Sequence, residues 1–263
     1  MQTVGEIRNA LLKAVPAEMK YDWDNVGLLC GRADRPVRRA LVALDPTPDV
    51  LEEAKACGAE LVVTHHPLIF EPVKNVTDES YTGRCLLFLI ENGIAAVNLH
   101  TNLDCAPGGV NELLAQTLGL ESVEVLEPRG TDERGRAWGL LRAGFTPFAA
   151  LPDFAAQVKQ KLGCPGLRFA DAHRPVRHVA VGGGSCGSEL DAVVRAGCDT
   201  FVTADLKYHQ FEEAAYRGVN LIDAGHFETE NPVCARLEQI LRAAFPDLEV
   251  LRAKNHKDET QFL

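Results

Sequence analysis

Residues 37–66, VRRALVALDPTPDVLEEAKACGAELVVTHH, are matched without a gap by residues 176–205, VRHVAVGGGSCGSELDAVVRAGCDTFVTAD, at a constant offset of 139. Identical pairs are Val37/Val176, Arg38/Arg177, Val42/Val181, Leu51/Leu190, Gly58/Gly197, Val63/Val202 and Thr64/Thr203; Glu52/Asp191 and Glu60/Asp199 keep their charge. Each copy opens on a short apolar strand, at 40–44 or 179–181. A turn and an amphipathic helix follow, and Gly58 or Gly197 stands where a glycine in the left-handed region closes a helix. A second apolar strand ends at Thr64 or Thr203. Strands alternating with helices predict a layered α/β fold. The parallel continues at an offset of 125, where residues 93–98 (GIAAVN) resemble residues 218–223 (GVNLID).

A length of 263 residues suits about two domains of ~150 residues or less. The expected architecture is therefore two similar α/β domains from an internal duplication, residues 1–127 and 128–263. The C-terminal segment is allowed to pack back on the first domain. Val4, Ile7, Leu11 and Val15 mark one face of an opening helix. Residues 123–126 and 138–145 read as strands near the junction.

Lys plus Arg is 27 and Asp plus Glu is 37, a net charge of −10. Such a chain lacks the field of a nucleic-acid or anionic-membrane binder, and 6% aromatics argues against a base-stacking platform. No nucleic acid is expected as a partner. No apolar run approaches ~20 residues, so no membrane span is expected, and the first residues carry no signal-peptide pattern. The eight cysteines form no C-x-x-C, which excludes the usual thiolate zinc signature. Free, buried thiols in a reducing cytoplasm fit them best.

The unusual polar residues collect just after strand ends, where open α/β sheets place their sites. Neutral imidazole is the commonest metal ligand near neutral pH. His65 and His66 leave a buried strand together, before Pro67. On an extended chain they would point to opposite faces, which suits two ions better than one unless the chain bends. Strand-end histidines capped by backbone groups would look the same. Two further strands each end in a polar loop: residues 99–104, with HTNLD at 100–104 and Gly108-Gly109 and Asn111 beyond, and residues 224–230, with HFETE at 226–230. Pro232 suits a helix first turn, which puts Glu230 at a loop-to-helix junction. Four of the eight histidines, His65, His66, His100 and His226, follow strands, as do Asp104 and Glu230. Imidazole and carboxylate without thiolate suit Zn, Mn, Fe or Co.

Residues 203–209 (TADLKYH) occupy in copy two the place of Thr64-His65-His66. Asp205 or His209 could shuttle protons there and Lys207 could meet a phosphate; a helix start capped by Asp205 is the plainer alternative. Residues 182–187 (GGGSCG) match G-x-G-x-x-G, but copy one has no glycine in that slot, which weighs against a dinucleotide. A phosphate or purine contact at the backbone amides, Gly183 among them, and a tight structural turn both stay open. Asp24 or Asn25, in a turn before an apolar stretch, could support a metal ligand from behind.

The segments DNVGL at 24–28, THHP at 64–67, HTNLD at 100–104, GGVN at 108–111, TADLKYH at 203–209 and DAGHFETE at 223–230 resemble, in order, the motifs of the NIF-three-like family, also described as GTP cyclohydrolase I type 2 homologs. The match spans nearly the whole chain. Ala204 departs from the family's usual glycine. The resemblance implies a dinuclear divalent-metal site (Zn, Fe or Mn) held by His65, His66, Asp104, His226 and Glu230. Glu230 would bridge, and His100 would lie outside the ligand set. It also implies two similar α/β domains with the metals in the cleft between them and a toroidal homohexamer; some members carry an inserted third domain, for which this chain is too short.

The function expected on this reading is a metal-dependent hydrolase, with GTP as candidate substrate. Water would attack the guanine imidazole ring and formate would leave, with His209 and Asp205 as proton carriers and Lys207 and Gly183 as substrate contacts. The rival is a metal-binding regulatory or interaction protein without turnover.

Overall fold

A computed structural model describes residues 1–263. The chain forms two compact units, one of Met1–Leu103 with Val233–Lys257, the other of Asp104–Pro232 with Asp258–Leu263. The first stretch of one unit ends at Leu103 and the other unit begins at Asp104, inside the short helix Thr101–Cys105. The strand Glu249–Arg252 belongs to the first unit because it pairs in parallel with Arg39–Ala43 at that sheet's edge.

The first unit is built on a five-stranded sheet in the order Glu249–Arg252, Arg39–Ala43, Leu61–Thr64, Ala95–Asn98, Gly27–Cys30. All neighbours are parallel except the last pair. Leu61–Thr64 and Ala95–Asn98 are buried at every position, as expected for parallel strands covered on both faces. Helices Pro48–Cys57 and Tyr81–Asn92 bury Val50, Leu51, Ala54, Leu86 and Leu89 in one core with Leu41, Val62 and Ala96. The opening helix, Val4–Ala14, buries Val4, Ile7 and Leu11 and packs against helix Val233–Ala244. Thr3 and Glu6 close a reciprocal capping box at its start.

The second unit carries six strands in the order Arg168–Ala170, Asn220–Asp223, Thr200–Thr203, Val176–Val181, Arg142–Ala149, Glu121–Val125. Asn220–Asp223, Thr200–Thr203 and Val176–Val181 are parallel and the outer strands antiparallel, so this sheet is mixed. The strand expected at 138–145 begins only at Arg142; Ala137–Trp138 pairs instead with Gly130–Thr131.

Strand–helix–strand order recurs in each unit, and so does a local hydrogen-bond pattern. Glu60 Oε2 accepts from the amides of Arg38 and Arg39 at 3.0 and 2.9 Å. Asp199 Oδ2 accepts from the amides of Arg177 and His178 at 3.1 and 2.8 Å. Gly58 and Gly197 both adopt the left-handed conformation, at φ 70° and 72°.

Candidate functional site

In the first unit the chain turns as soon as the strand Leu61–Thr64 ends. The amide of His66 donates to Leu44 O at 2.9 Å, and Thr64 Oγ1 donates to His66 O at 2.7 Å. This bend overturns the opposite-face geometry of an extended pair: the His65 and His66 rings lie 4.8 Å apart. His100, just past the neighbouring strand Ala95–Asn98, joins them. One ring nitrogen of each of His65, His66 and His100 falls within 4.8 Å of the other two.

Each ring is held from behind through Nδ1. His65 Nδ1 donates to Leu99 O at 2.9 Å, His66 Nδ1 to Asp45 Oδ1 at 2.6 Å, and His100 Nδ1 to Asp24 Oδ1 at 2.7 Å. With the proton on Nδ1, Nε2 carries the lone pair, the tautomer a metal-binding histidine uses. Burial works against the charged form of Asp24, yet hydrogen bonds from His100 and Thr101 hold its pKa down at about 2. Asp45 stays below the usual carboxylate range in the same way: burial opposes its charge, and His256 and His66 outweigh it. Asp24 was legible as a supporting group. Asp45 was not singled out, although it is the first polar residue after an apolar strand.

The two motifs read as loops are partly helical. Thr101–Cys105 and His226–Glu230 are each single turns. The i,i+4 spacing of His226 and Glu230 then places both side chains on one face, and His226 Nε2 lies 3.0 Å from Glu230 Oε2. Asp104 and Glu230 are buried and offer carboxylate oxygens within 4.8 Å of each other. Glu230 is thus shared between Asp104 and His226. Asp205 accepts from His226 Nδ1 at 2.7 Å, with its backbone in the left-handed region at φ 54°. Burial disfavours the His226 cation, but Asp205 and Glu230, one at each ring nitrogen, push its pKa up to about 11. Two carboxylates around one imidazole suit a cation, and a divalent ion would replace the shared proton.

The glycine run makes room for these groups. A Cβ on Gly184 would sit 2.2 Å from Glu230 Oε1 and 3.0 Å from His226 Nε2, and one on Gly183 would sit 3.2 Å from Glu230 Cγ. The amides there are already engaged: Gly183 N donates to Asn111 Oδ1 at 2.6 Å and Gly184 N to Thr229 Oγ1 at 3.0 Å. The run therefore serves close packing, and the expected phosphate contact at the Gly183 amide has no free donor. Asn111 also donates to Leu140 O and Asp104 O, at 2.8 and 3.3 Å. The buried Arg142 guanidinium, not foreseen from sequence, donates to the carbonyls of Gly139, Leu141, Cys105 and Ala106 and fixes the chain just after Asp104.

Asp205 does not cap the helix Tyr208–Tyr216; Lys207 occupies that position. His209 and Lys207 are exposed. All eight cysteines are free thiols and seven are buried, with burial pushing Cys105, Cys198 and Cys234 up to about 12. They are poor ligands and poor nucleophiles. No helix is long and apolar enough to cross a membrane.

A family model described as Duf34/NIF3 (NGG1p interacting factor 3) matches residues 2–259. A Streptomyces coelicolor relative named GTP cyclohydrolase 1 type 2 homolog is 39% identical over 267 residues, covering 98% of this chain and 93% of its own. Among solved structures, a hypothetical protein of Staphylococcus aureus aligns at TM-score 0.91 and 30% identity, over 100% of this chain and 99% of that one. A Bacillus cereus protein related to NIF3 aligns at TM-score 0.92 and 26% identity, again over 100% and 99%.

Proposed function

This chain belongs to the Duf34/NIF3 family, and from that premise we propose that it is a divalent-metal-dependent hydrolase with GTP as candidate substrate. One observation carries the reading: the three histidines of the proposed ligand set, His65, His66 and His226, each have Nδ1 held by an oxygen acceptor, which leaves Nε2 as the nitrogen for a metal. The relatives' name, GTP cyclohydrolase 1 type 2 homolog, supplies the candidate substrate.

In this reading His65, His66, Asp104, His226 and Glu230 would hold two divalent ions, Zn, Fe or Mn. Bound divalent ions supply the acidity that makes water a nucleophile near neutral pH. Asp45 and Asp205 keep His66 and His226 in the required orientation. Asp205 and His209 carry protons to and from the purine. Lys207, which is exposed, meets the triphosphate side; Gly183 serves by letting Glu230 approach. Water adds at carbon 8 of guanine, the imidazole ring opens to a formamide, and a second water releases formate. The matching bonds of Glu60 and Asp199 support descent of the two units from one duplicated ancestor. A toroidal homohexamer is part of the same proposal.

The test is formate release from GTP by protein loaded separately with Mn, Fe or Zn, with Asp104→Ala as the paired control. Multiple turnovers, lost in the variant, support the reading. No formate from folded, metal-loaded samples overturns GTP as the substrate. The family description names an interacting factor, which favours one rival, a metal-fixed interaction protein. An ion without an exchangeable water would favour that rival.

A further inference from the structure

Aromatic residues are scarce in this chain, yet the first unit gathers three of them in one group, two of them against His100. Trp23 is 61% exposed and Phe70 is 52% exposed. The Trp23 ring lies 6.3 Å from the His100 ring and the Phe70 ring 6.1 Å from it, both edge-on. Trp23 and Phe70 meet at 5.7 Å and 61°, while Tyr21 stacks behind the indole at 5.7 Å and 16°.

The indole is held in place by the groups that hold His100. Tyr21 N donates to Thr101 Oγ1 at 3.0 Å and Asp24 N to Tyr21 O at 3.0 Å. The Asp24 carboxylate takes His100 Nδ1 on one oxygen and the Thr101 amide on the other. Trp23 is therefore fixed relative to the histidine cluster through Tyr21, two residues before it, and Asp24, which follows it. Phe70 belongs to residues 65–80, which lead from the metal-candidate histidines to helix Tyr81–Asn92 without a regular element. Irregular segments of this length in compact domains usually carry function. Asn25 Nδ2 pins this one by donating to Ile69 O at 2.8 Å, next to Phe70. Apolar rings beside convergent polar groups are the composition of a small-molecule site, and Trp23, its indole backed by Tyr21, is still 61% exposed and open to a ligand.

We propose that Trp23 and Phe70 form the platform on which the planar heterocycle of the substrate stacks, a purine base placed beside His100. The purine rests on the hydrolase reading; the stacking rests on the ring geometry alone.

The chain has two tryptophans, so Trp138→Phe leaves Trp23 as the only indole. In that background, guanosine monophosphate quenches the emission saturably, after absorbance correction, and ribose 5-phosphate does not. Phe70→Ala weakens the quenching titration about tenfold, and Trp23→Leu raises the KM for GTP about tenfold with kcat little changed. Metal content and thermal unfolding of both variants match the parent, which separates lost stacking from lost fold. Equal quenching by both probes, no quenching, or indifference to Phe70→Ala overturns the platform. So does a drop in assembly mass in both variants with the quenching titration of Phe70→Ala unchanged, which would assign the rings to a subunit contact. Base-specific quenching without formate from GTP upholds the platform and removes the GTP chemistry. Formate release with KM unchanged in Trp23→Leu and Phe70→Ala does the reverse.

Discussion

Gly184 shows how far one methyl group reaches. Its φ of +63° strains any L side chain, and a Cβ there would overlap Glu230 Oε1. Gly184→Ala is expected to displace Glu230 and His226 and to cut metal affinity at least about tenfold, because groups that seat a ligand matter nearly as much as the ligand. Elemental analysis after dialysis against Zn or Mn checks this, with circular dichroism as the control for folding. Asp24 makes a second prediction. Its pKa is about 2 in the folded chain against an ordinary 3.8. A depressed carboxylate stabilises the fold above its unfolded value and loses that contribution as pH falls through the folded one. Wild type should therefore exceed Asp24→Asn by about 2 kcal/mol above pH 4, and the gap should close towards pH 2. Urea unfolding at several pH values reads it; a gap that widens in acid would refute the assignment.

Among the elements, the helical turn Thr101–Cys105 depends most on a distant partner. Its final carbonyl and the next are both held by Arg142, from the strand Arg142–Ala149. Burial disfavours the Arg142 charge, and no side-chain carboxylate is hydrogen-bonded to it. Replacing it by a residue of similar length leaves buried carbonyls without a donor. Arg142→Met is expected to cost about 3 kcal/mol and to lower Tm by roughly 6–12 °C, with metal binding weakened because Asp104 sits on that turn. The two one-turn helices also show why the motifs were read as loops: five residues are too few for a hydrophobic period to register, and single turns are held by tertiary bonds rather than propensity.

At the scale of the molecule, the chain order of the units is the main departure from a simple tandem pair. Val233–Lys257 returns to the first unit, where Glu249–Arg252 covers the edge of Arg39–Ala43 and helix Val233–Ala244 packs on Val4–Ala14. Deleting residues 233–263 should uncover that edge strand and an apolar helix face together. The shortened chain is expected to aggregate and to show no cooperative unfolding of residues 1–103; a monomer with an intact sigmoidal melt would contradict this. The same segment delivers His256 to Asp45 at 3.1 Å, so the C-terminal region also braces the group that holds His66.

The strand–helix–strand order of the two repeats, the apolar face of Val4, Ile7 and Leu11, and the helix-closing Gly58 and Gly197 were legible in the sequence, as were the polar residues that gather after strand ends. They follow from local periodicity and backbone preference, which a chain carries without its partners. Three things were not legible. The bend that brings His65 and His66 together is set by bonds from Thr64 and to Leu44. The glycine run 182–184 looks like an anion loop, and only the approach of Glu230 and Asn111 reveals why it lacks side chains. The aromatic group of Tyr21, Trp23 and Phe70 is spread over 50 positions of sequence and becomes a cluster only when two loops meet at His100. Residue type fixes which atoms can donate, accept or stack; distance and orientation between atoms far apart in sequence are properties of the folded chain alone.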